Sequence, residues 1–309
     1  MGKHKEAQET DNKIFWDNRR KVAFAMVAPA FLILLFLALG PMLFMWINAF
    51  RSWRLASPVP PRFSGLRNFL DLLMDTRFSN AVLNTAILVI VGIVIQSILG
   101  LGIALLLRKP FKLRSVLMAL LLIPVLVAPV VAGLNWKLIL NDVFGPLNYF
   151  LGLIRMKEPL WLSSNRFWGL FSILIVDSWQ WTPFVALVLL AGLEGIPREI
   201  YEAADVDGTR PVMVFFRLTL PLLRPMFVLI MLLRTIFIFR IFDPVVILTQ
   251  GGPGMATETL SLLMYNIGLK YLDIGHAMAM GVLQIIIMII LSNIFLKFTT
   301  SGKTSKRKG

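Results

Sequence analysis

Six long apolar runs separated by polar segments constrain the fold of this 309-residue chain more than any other feature. A helix needs about 20 mainly apolar residues to cross roughly 30 Å of hydrocarbon, and each run reaches that length. Charged residues make up only 16% of the chain, against about 25% in a typical soluble domain. The sequence therefore predicts an all-α integral membrane protein with six transmembrane helices, at residues 22–49, 81–107, 115–140, 167–193, 225–249 and 275–298.

A cleaved signal peptide is the alternative interpretation of the first run. The apolar region of a signal peptide spans about 7–15 residues and precedes a small-residue cleavage site. The run at 22–49 is longer and ends among Trp46, Phe50 and Trp53, which are typical of a membrane interface. We therefore interpret it as a retained span.

Lysine and arginine are unevenly divided between the two sides of these spans. With six spans, 19 of them fall on the side of the two termini and nine on the other side. Because cytoplasmic loops carry the excess of basic residues, both termini are predicted to be cytoplasmic. The basic tails at 1–21 and 299–309 then lie inside, and the loops at 50–80 and 141–166 lie outside. The net charge of +14 is explained by this pattern and by anionic lipid, and no nucleic-acid module accompanies it.

Small residues and prolines inside the spans predict local packing and bending. Gly100, Gly102 and Ala104 indicate close helix packing in the second span. Pro124 and Pro129 predict a kink in the third span, because proline lacks the N–H that a helix needs.

The polar segment at 194–224 has the pattern of a helix–glycine–helix hairpin. Pro197 suits a helix start, and the residues from Arg198 to Asp205 then read as a short helix. The side chains of Ile200, Ala203 and Ala204 fall on one side of that helix. Gly208 predicts a break, because glycine takes a positive φ without steric cost. A second short helix should end near Pro221.

This segment resembles the EAA loop of the membrane subunits of binding-protein-dependent ABC importers. The matching residues are Glu202, Ala203, Ala204, Asp207, Gly208, Phe215, Leu218, Leu220, Pro221 and Pro225. Two positions depart from the family pattern: Thr209 stands where alanine is usual, and Val212 where many members carry tryptophan. The segments at 63–69 and 248–253 are similar to those of the sugar permeases within this family.

The resemblance implies a type I ABC importer permease fold, with a transmembrane core at 81–298. It implies a permease of the bacterial inner membrane that moves a sugar or sugar derivative by alternating access and is not itself an enzyme. The implied partners are a second permease subunit, two cytoplasmic ATPases that bind ATP and Mg²⁺, an extracytoplasmic solute-binding protein and membrane lipid. The residues implied to couple to the ATPase are Glu202, Ala203, Ala204, Asp207, Gly208 and Pro221.

Polar and aromatic side chains inside the spans are candidates for a translocation path, because ionisable groups there usually face a cavity or a partner. They are Asn135, Asp177, Trp179, Gln180, Trp181, Arg234, Arg240, Asp243 and Gln284. Structural roles remain open: Asp177 and Arg234 would neutralise each other between helices, and Arg240 and Asp243 would form a local ion pair. Lys137 and Arg240 would snorkel to the outer interface.

Several chemistries are excluded by what the sequence lacks. There is no cysteine, there are only two histidines, and no Walker A pattern occurs, so neither a metal site nor an ATP site is predicted. The alternative function is an ion-coupled secondary transporter with Asp177, Arg234 and Asp243 as a relay. The solute itself stays open among oligosaccharides, monosaccharides, polyols and sugar phosphates.

Overall fold

Helices account for most of the chain in the computed structural model, which describes the backbone of residues 2–304 and the side chains of residues 21–294 and 297. The side chains of the basic tails, at 1–20 and 299–309, lie outside the described residues. The helices are α1 (Gly2–Ala49), α2 (Arg67–Met74), α3 (Thr76–Arg108), α4 (Arg114–Leu126), α5 (Pro129–Ile139), α6 (Pro146–Leu153), α7 (Arg166–Glu194), α8 (Arg198–Val206), α9 (Pro211–Val214), α10 (Leu220–Leu222), α11 (Arg224–Phe239), α12 (Asp243–Leu248), α13 (Leu260–Tyr265) and α14 (Ile274–Thr304). Two π-helical segments lie at Phe215–Thr219 and Asn266–Lys270.

Four of the described helices are long and apolar enough to cross a membrane. They are the Lys21–Ala49 part of α1, all of α3, all of α7 and the Ile274–Ile294 part of α14. Two bent pairs raise the number to six if each pair is one span. These pairs are α4 with α5, and the Pro211–Leu222 segment with α11.

The third predicted span is broken rather than kinked. Its two helices, α4 and α5, meet at 95° across Val127 and Ala128, which have extended backbone. The physical reason is Pro129, which has no N–H to donate and whose ring disfavours helical backbone in the preceding residue. The prolines were a correct signal, but the chain bends more sharply at this point than the kink predicted for the span at 115–140.

The fifth predicted span also differs, because a single helix at 225–249 is not formed. The helix α11 ends at Phe239, and α12 begins only at Asp243, with Pro244 in its first turn. At its other end, α11 follows the Pro211–Leu222 segment with a bend of 58°. The helical path therefore starts before residue 225 and stops before residue 249.

The two predicted outer loops contain structure that the sequence did not predict. Within 50–80, the strands β1 (Arg51–Ser52) and β2 (Arg62–Phe63) form a small antiparallel sheet with Arg51 opposite Phe63. The helix α2 follows in the same loop, and α6 lies within 141–166. The all-α prediction holds for the spans but misses this hairpin.

The core is built where α3 packs along α7. One apolar cluster surrounds Leu88, Ile173 and Val245, and a second surrounds Leu107 and Leu193 at the other ends of the two helices. In contrast, α1 contributes no buried side chain between residues 21 and 47. The apolar surface of α1 is therefore left for lipid or for another chain.

Gly100 lets α3 approach α7 closely. A Cβ at this position would lie 2.6 Å from Val185 Cγ1 and 3.1 Å from the backbone nitrogen of Ala186. Ala104, one turn further, is fully buried. Gly102 was predicted to share this role, but it is exposed and a Cβ there would meet no atom within 4 Å. The close approach therefore depends on Gly100 and Ala104.

We expect Gly100→Val to destabilise the protein by about 1–3 kcal/mol, because the added side chain would force α3 and α7 apart. The matched control is Gly102→Val on the same helix, which adds the same atoms in open space. The measurement is the thermal unfolding midpoint of the purified protein in detergent. Equal midpoints for the two variants would contradict the assigned contact.

Candidate functional site

A buried network of three side chains joins α3, α7 and α11. Arg234 donates from Nη2 to Asp177 Oδ2 over 2.6 Å and from Nε to Gln96 Oε1 over 2.6 Å. Gln96 in turn donates from Nε2 to Asp177 Oδ2 over 2.7 Å. Arg234 and Gln96 are fully buried, and Asp177 is 6% exposed. Each member thus contacts both others, and each comes from a different helix.

The aromatic ring of Trp181 covers the guanidinium of this network. The Cζ atom of Arg234 lies 5.1 Å from the Trp181 ring centroid, within the range of a cation–π contact. Trp181 also stacks on Phe237 with ring centroids 5.2 Å apart. The remaining terminal nitrogen of Arg234, Nη1, is buried and has no hydrogen-bond partner among the described residues. The network therefore joins three helices and leaves the Nη1 nitrogen of Arg234 unpaired within the described part of the chain.

Gln96 is the member of this network that sequence reasoning missed. It is a single amide in the middle of the apolar second span. A polar side chain isolated in this way usually has a partner in the protein, and this was the signal that could have identified it. The two charged members were predicted, and the open alternative that they neutralise each other agrees with their geometry.

Gln180 lies beside the break between α4 and α5. Its Nε2 donates to the carbonyl of Val127 over 2.7 Å, which satisfies an acceptor that the broken helix leaves free. Trp179, its neighbour, is 38% exposed and contacts the Trp136 ring at a centroid distance of 5.9 Å. Asn135 is exposed on α5. Gln180 therefore has a structural contact, whereas Trp179 keeps a partly exposed ring.

Arg240 and Gln284 line a second region, a cavity of about 650 Å³ between α1, α11 and α14. The Nε2 atom of Gln284 is buried without a hydrogen-bond partner among the described residues. Asp243 begins α12, and no ion pair between it and Arg240 is found in the described part of the chain. The residues that line this cavity include no member of the buried network.

Charged contacts fasten the predicted outer loops to the helices. Arg77 donates to both carboxylate oxygens of the buried Glu258, at 2.6 and 2.7 Å. Arg54 donates to Asp273 over 2.8 Å, and His276 lies 3.0 Å from the same carboxylate. Burial opposes ionisation of Asp273, but the hydrogen bonds from His276 and Arg54 outweigh it, so the pKa of Asp273 lies below its ordinary value.

The segment at 194–224 forms the predicted hairpin. The helix α8 runs from Arg198 to Val206, and Gly208 follows with a φ of +61°. Glu202, Asp205 and Asp207 are exposed, while Ala204 is buried. Ala203 was predicted on the apolar side with Ala204, but it is exposed. The result is a short helix with an exposed acidic face and one buried residue, Ala204.

The second half of the hairpin continues instead of stopping at Pro221. After α9 the chain passes through the π-helical segment into α10, where Pro221 occupies the first turn. The bend comes at Leu223, which is fully buried.

No group of three or more metal-ligating side chains lies together among the described residues.

Comparison with known proteins gives one family. Residues 96–301 match the model of the family described as "Binding-protein-dependent transport system inner membrane component". The chain is 36% identical over 281 residues to the "Trehalose/maltose transport system permease protein MalF" of Thermococcus litoralis, covering 90% of this chain and 93% of that protein. It is 32% identical over 278 residues to the "Sulfoquinovosyl glycerol transport system permease protein SmoG" of Agrobacterium fabrum, covering 90% of each.

A solved structure shares the fold. It is the bacterial alginate ABC transporter in complex with alginate pentasaccharide-bound periplasmic protein, and one of its chains superposes with a TM-score of 0.78. That match covers 94% of this chain and 97% of the other at 20% identity.

We expect Asp177→Asn or Arg234→Gln alone to destabilise the protein by about 3–5 kcal/mol, because each leaves an uncompensated buried charge. The double variant should be more stable than either single variant. Thermal unfolding in detergent measures this, and Thr235→Val is the matched control, since its buried hydroxyl has no partner among the described residues. Single variants as stable as wild type would contradict the structural pair, and a folded double variant that fails to transport would favour solute contact.

Proposed function

The chain belongs to the family of binding-protein-dependent transport system inner membrane components, and we propose on this basis that it is the permease subunit of an ATP-driven ABC importer for a sugar or sugar derivative. The observation that carries the proposal is the similarity over 90% of the chain to a trehalose/maltose permease. The exposed acidic face of α8 supports it, because a docking helix needs free polar groups. The ion-coupled alternative lacks support, since Asp177 and Arg234 are paired with each other.

The proposed membrane topology rests on charge placement and on the bent helix pairs. Six spans result if each bent pair crosses the membrane once, and both termini then lie in the cytoplasm of a bacterial inner membrane. This orientation puts α8 on the cytoplasmic side, where ATP is available. The start of α3, with Arg77, and the segment between α12 and α14, with Glu258 and Asp273, then lie on the outer side.

The proposed importer requires further subunits. A second permease would cover apolar surface that this chain leaves exposed, and two cytoplasmic ATPases would bind ATP and Mg²⁺ and carry out hydrolysis. A solute-binding protein would deliver the solute, in keeping with the alginate ABC transporter, which forms a complex with an alginate pentasaccharide-bound periplasmic protein. An outer cavity of about 400 Å³, lined by charged groups that include Arg54, Asp71 and His276, offers polar contacts on that side.

The solute path is assigned to polar atoms that the fold leaves without partners. Arg234 Nη1 and Gln284 Nε2 are buried donors of this kind. Trp179 presents a partly exposed ring on which the C–H face of a sugar packs, and Arg240 is exposed at the edge of its cavity. Asp177 and Trp181 position Arg234, and Gln180 holds the helix break beside Trp179. Asn135 and Asp243 are proposed as further polar residues along the path.

The mechanism is alternating access driven through α8. ATP draws the two ATPases together, and Glu202 follows through its docking contact, while Gly208 allows the turn behind it. The helices behind the hairpin then open an inner cavity outward, where the delivered solute enters. Hydrolysis resets the inward-facing state.

Proteoliposomes that contain both permeases and the ATPases test this function. We expect solute uptake that requires internal ATP and an external solute-loaded binding protein. Glu202→Lys should uncouple hydrolysis from uptake or release the ATPases, because it reverses the docking charge. The matched control is Glu158→Lys, the same reversal in the predicted outer loop, which should keep the ATPases bound. Uptake driven by a proton gradient without ATP, or normal uptake by Glu202→Lys, would contradict the proposal.

The absence of native cysteine allows a direct topology test. Val143 and Val206 are 90% and 89% exposed, the first in the 141–166 loop and the second on α8. We expect Val143→Cys to react with a membrane-impermeant maleimide added to spheroplasts, and Val206→Cys to react only after lysis. The reverse pattern would invert the orientation and remove α8 from the ATPases.

A further inference from the structure

Tyr201 directly precedes Glu202 on α8, but its half-buried side chain contacts the membrane-spanning helices. The Cζ atom of Arg108 lies 4.2 Å from the centroid of the Tyr201 ring, which is a close cation–π distance. The Tyr201 hydroxyl lies 3.2 Å from the hydroxyl oxygen of Thr219, which is buried. One ring thus touches the last residue of α3 on one side and the segment that leads into α11 on the other.

A second contact holds the neighbouring helix ends together. Arg114, the first residue of α4, donates from Nε to the carbonyl of Leu107 over 2.7 Å. Its guanidinium also pairs with the carboxylate of Glu194 at the end of α7. The ends of α3 and α7 are therefore joined beside Arg108. The surface that Tyr201 contacts is formed by these joined helix ends and does not depend on one helix alone.

Apolar packing attaches α8 to these helix ends without fixing the orientation of α8. Ile200 and Tyr201 pack against the cluster that contains Leu107, Leu193 and Leu223. Hydrophobic contact is non-directional, so it keeps α8 in place while permitting it to slide or rotate. The ring of Tyr201 adds the directional contacts, and a ring has few rotatable bonds to absorb a displacement.

We propose that Tyr201 is a positioning residue for energy coupling, which fixes α8 to α3 through Arg108 and to the segment that leads into α11 through Thr219. This inference rests on the proposed function. A displacement of α8 by the ATPase is then passed to α3 and α11 together. These are the helices that carry Gln96 and Arg234, so the motion reaches the buried network as one unit.

The test uses the complete complex, with both permeases, the ATPases and the binding protein, in proteoliposomes. Two readouts are taken: the amount of ATPase that copurifies, and the ratio of solute imported to ATP hydrolysed. Tyr201→Leu removes the ring and the hydroxyl, and we expect full copurification with a ratio lowered about fivefold or more. Tyr201→Phe keeps the ring over Arg108 and should retain more of the ratio than Tyr201→Leu.

The Arg108 side of the contact has its own matched pair. Arg108→Met removes the cation and should lower the ratio, while Arg108→Lys keeps a cation over the ring and should restore it. Lys109→Met is the control, because it removes the adjacent exposed cation. The double variant Tyr201→Leu/Arg108→Met should be no worse than the poorer single variant, since both remove the same contact.

Two results would overturn the inference alone: a wild-type ratio in Tyr201→Leu, or loss of the ATPases from that variant, which would make Tyr201 a docking residue. Independent, additive losses at the two positions would overturn the Arg108–Tyr201 contact as the cause. A wild-type complex without ATP-dependent uptake would overturn the proposed function and this inference with it.

Discussion

The salt bridge between Arg234 and Asp177 is the interaction on which the membrane-embedded part of this structure depends. Inside hydrocarbon no water is available to solvate a charge, so each ionised group must find its partner within the protein. Gln96 completes the arrangement by accepting from Arg234 and donating to Asp177. Because the three side chains come from three helices, satisfying the charge also sets the register of α3, α7 and α11.

The same requirement explains how this fold tolerates broken helices. The break between α4 and α5 frees backbone carbonyls at membrane depth, and the amide of Gln180 satisfies the one on Val127. In the predicted outer half, Asn84 is fully buried and donates to the backbone carbonyl of Glu258. The side-chain oxygen of Asn84 accepts a hydrogen bond from Arg166. Polar side chains in the spans are therefore used first to repair the backbone and to pair charges. Among the described residues, the buried polar atoms left without a partner are Arg234 Nη1, Gln284 Nε2, Arg166 Nη2, Asn266 Oδ1 and four hydroxyls.

The hairpin at 194–224 shows how far local sequence signals reach. Pro197 and Gly208 predicted a short helix and a turn with positive φ, and the structure has both. It also shows that the acidic residues of α8 are exposed. The family predicted from that loop is confirmed by the comparisons. The role of Tyr201 could not be predicted from its neighbours in the sequence. Its partner Arg108 is distant in the chain, and its partner Thr219 lies in another helical segment. Gly102 shows the opposite error, because spacing alone does not reveal which face of α3 meets α7.

The sequence by itself determined that this chain belongs in a membrane, where its four longest apolar helices lie, its family and the hairpin at 194–224. These properties follow from apolar run length, charge placement and backbone preferences, which are local quantities. Only the tertiary structure decided that α4 and α5 meet at 95°, that α11 stops at Phe239, and that Gln96 joins the charged pair. Proline marks a break without setting its angle, which depends on how the flanking helices pack. The contact of Gln96 depends on side chains from two distant segments, which local sequence does not bring together.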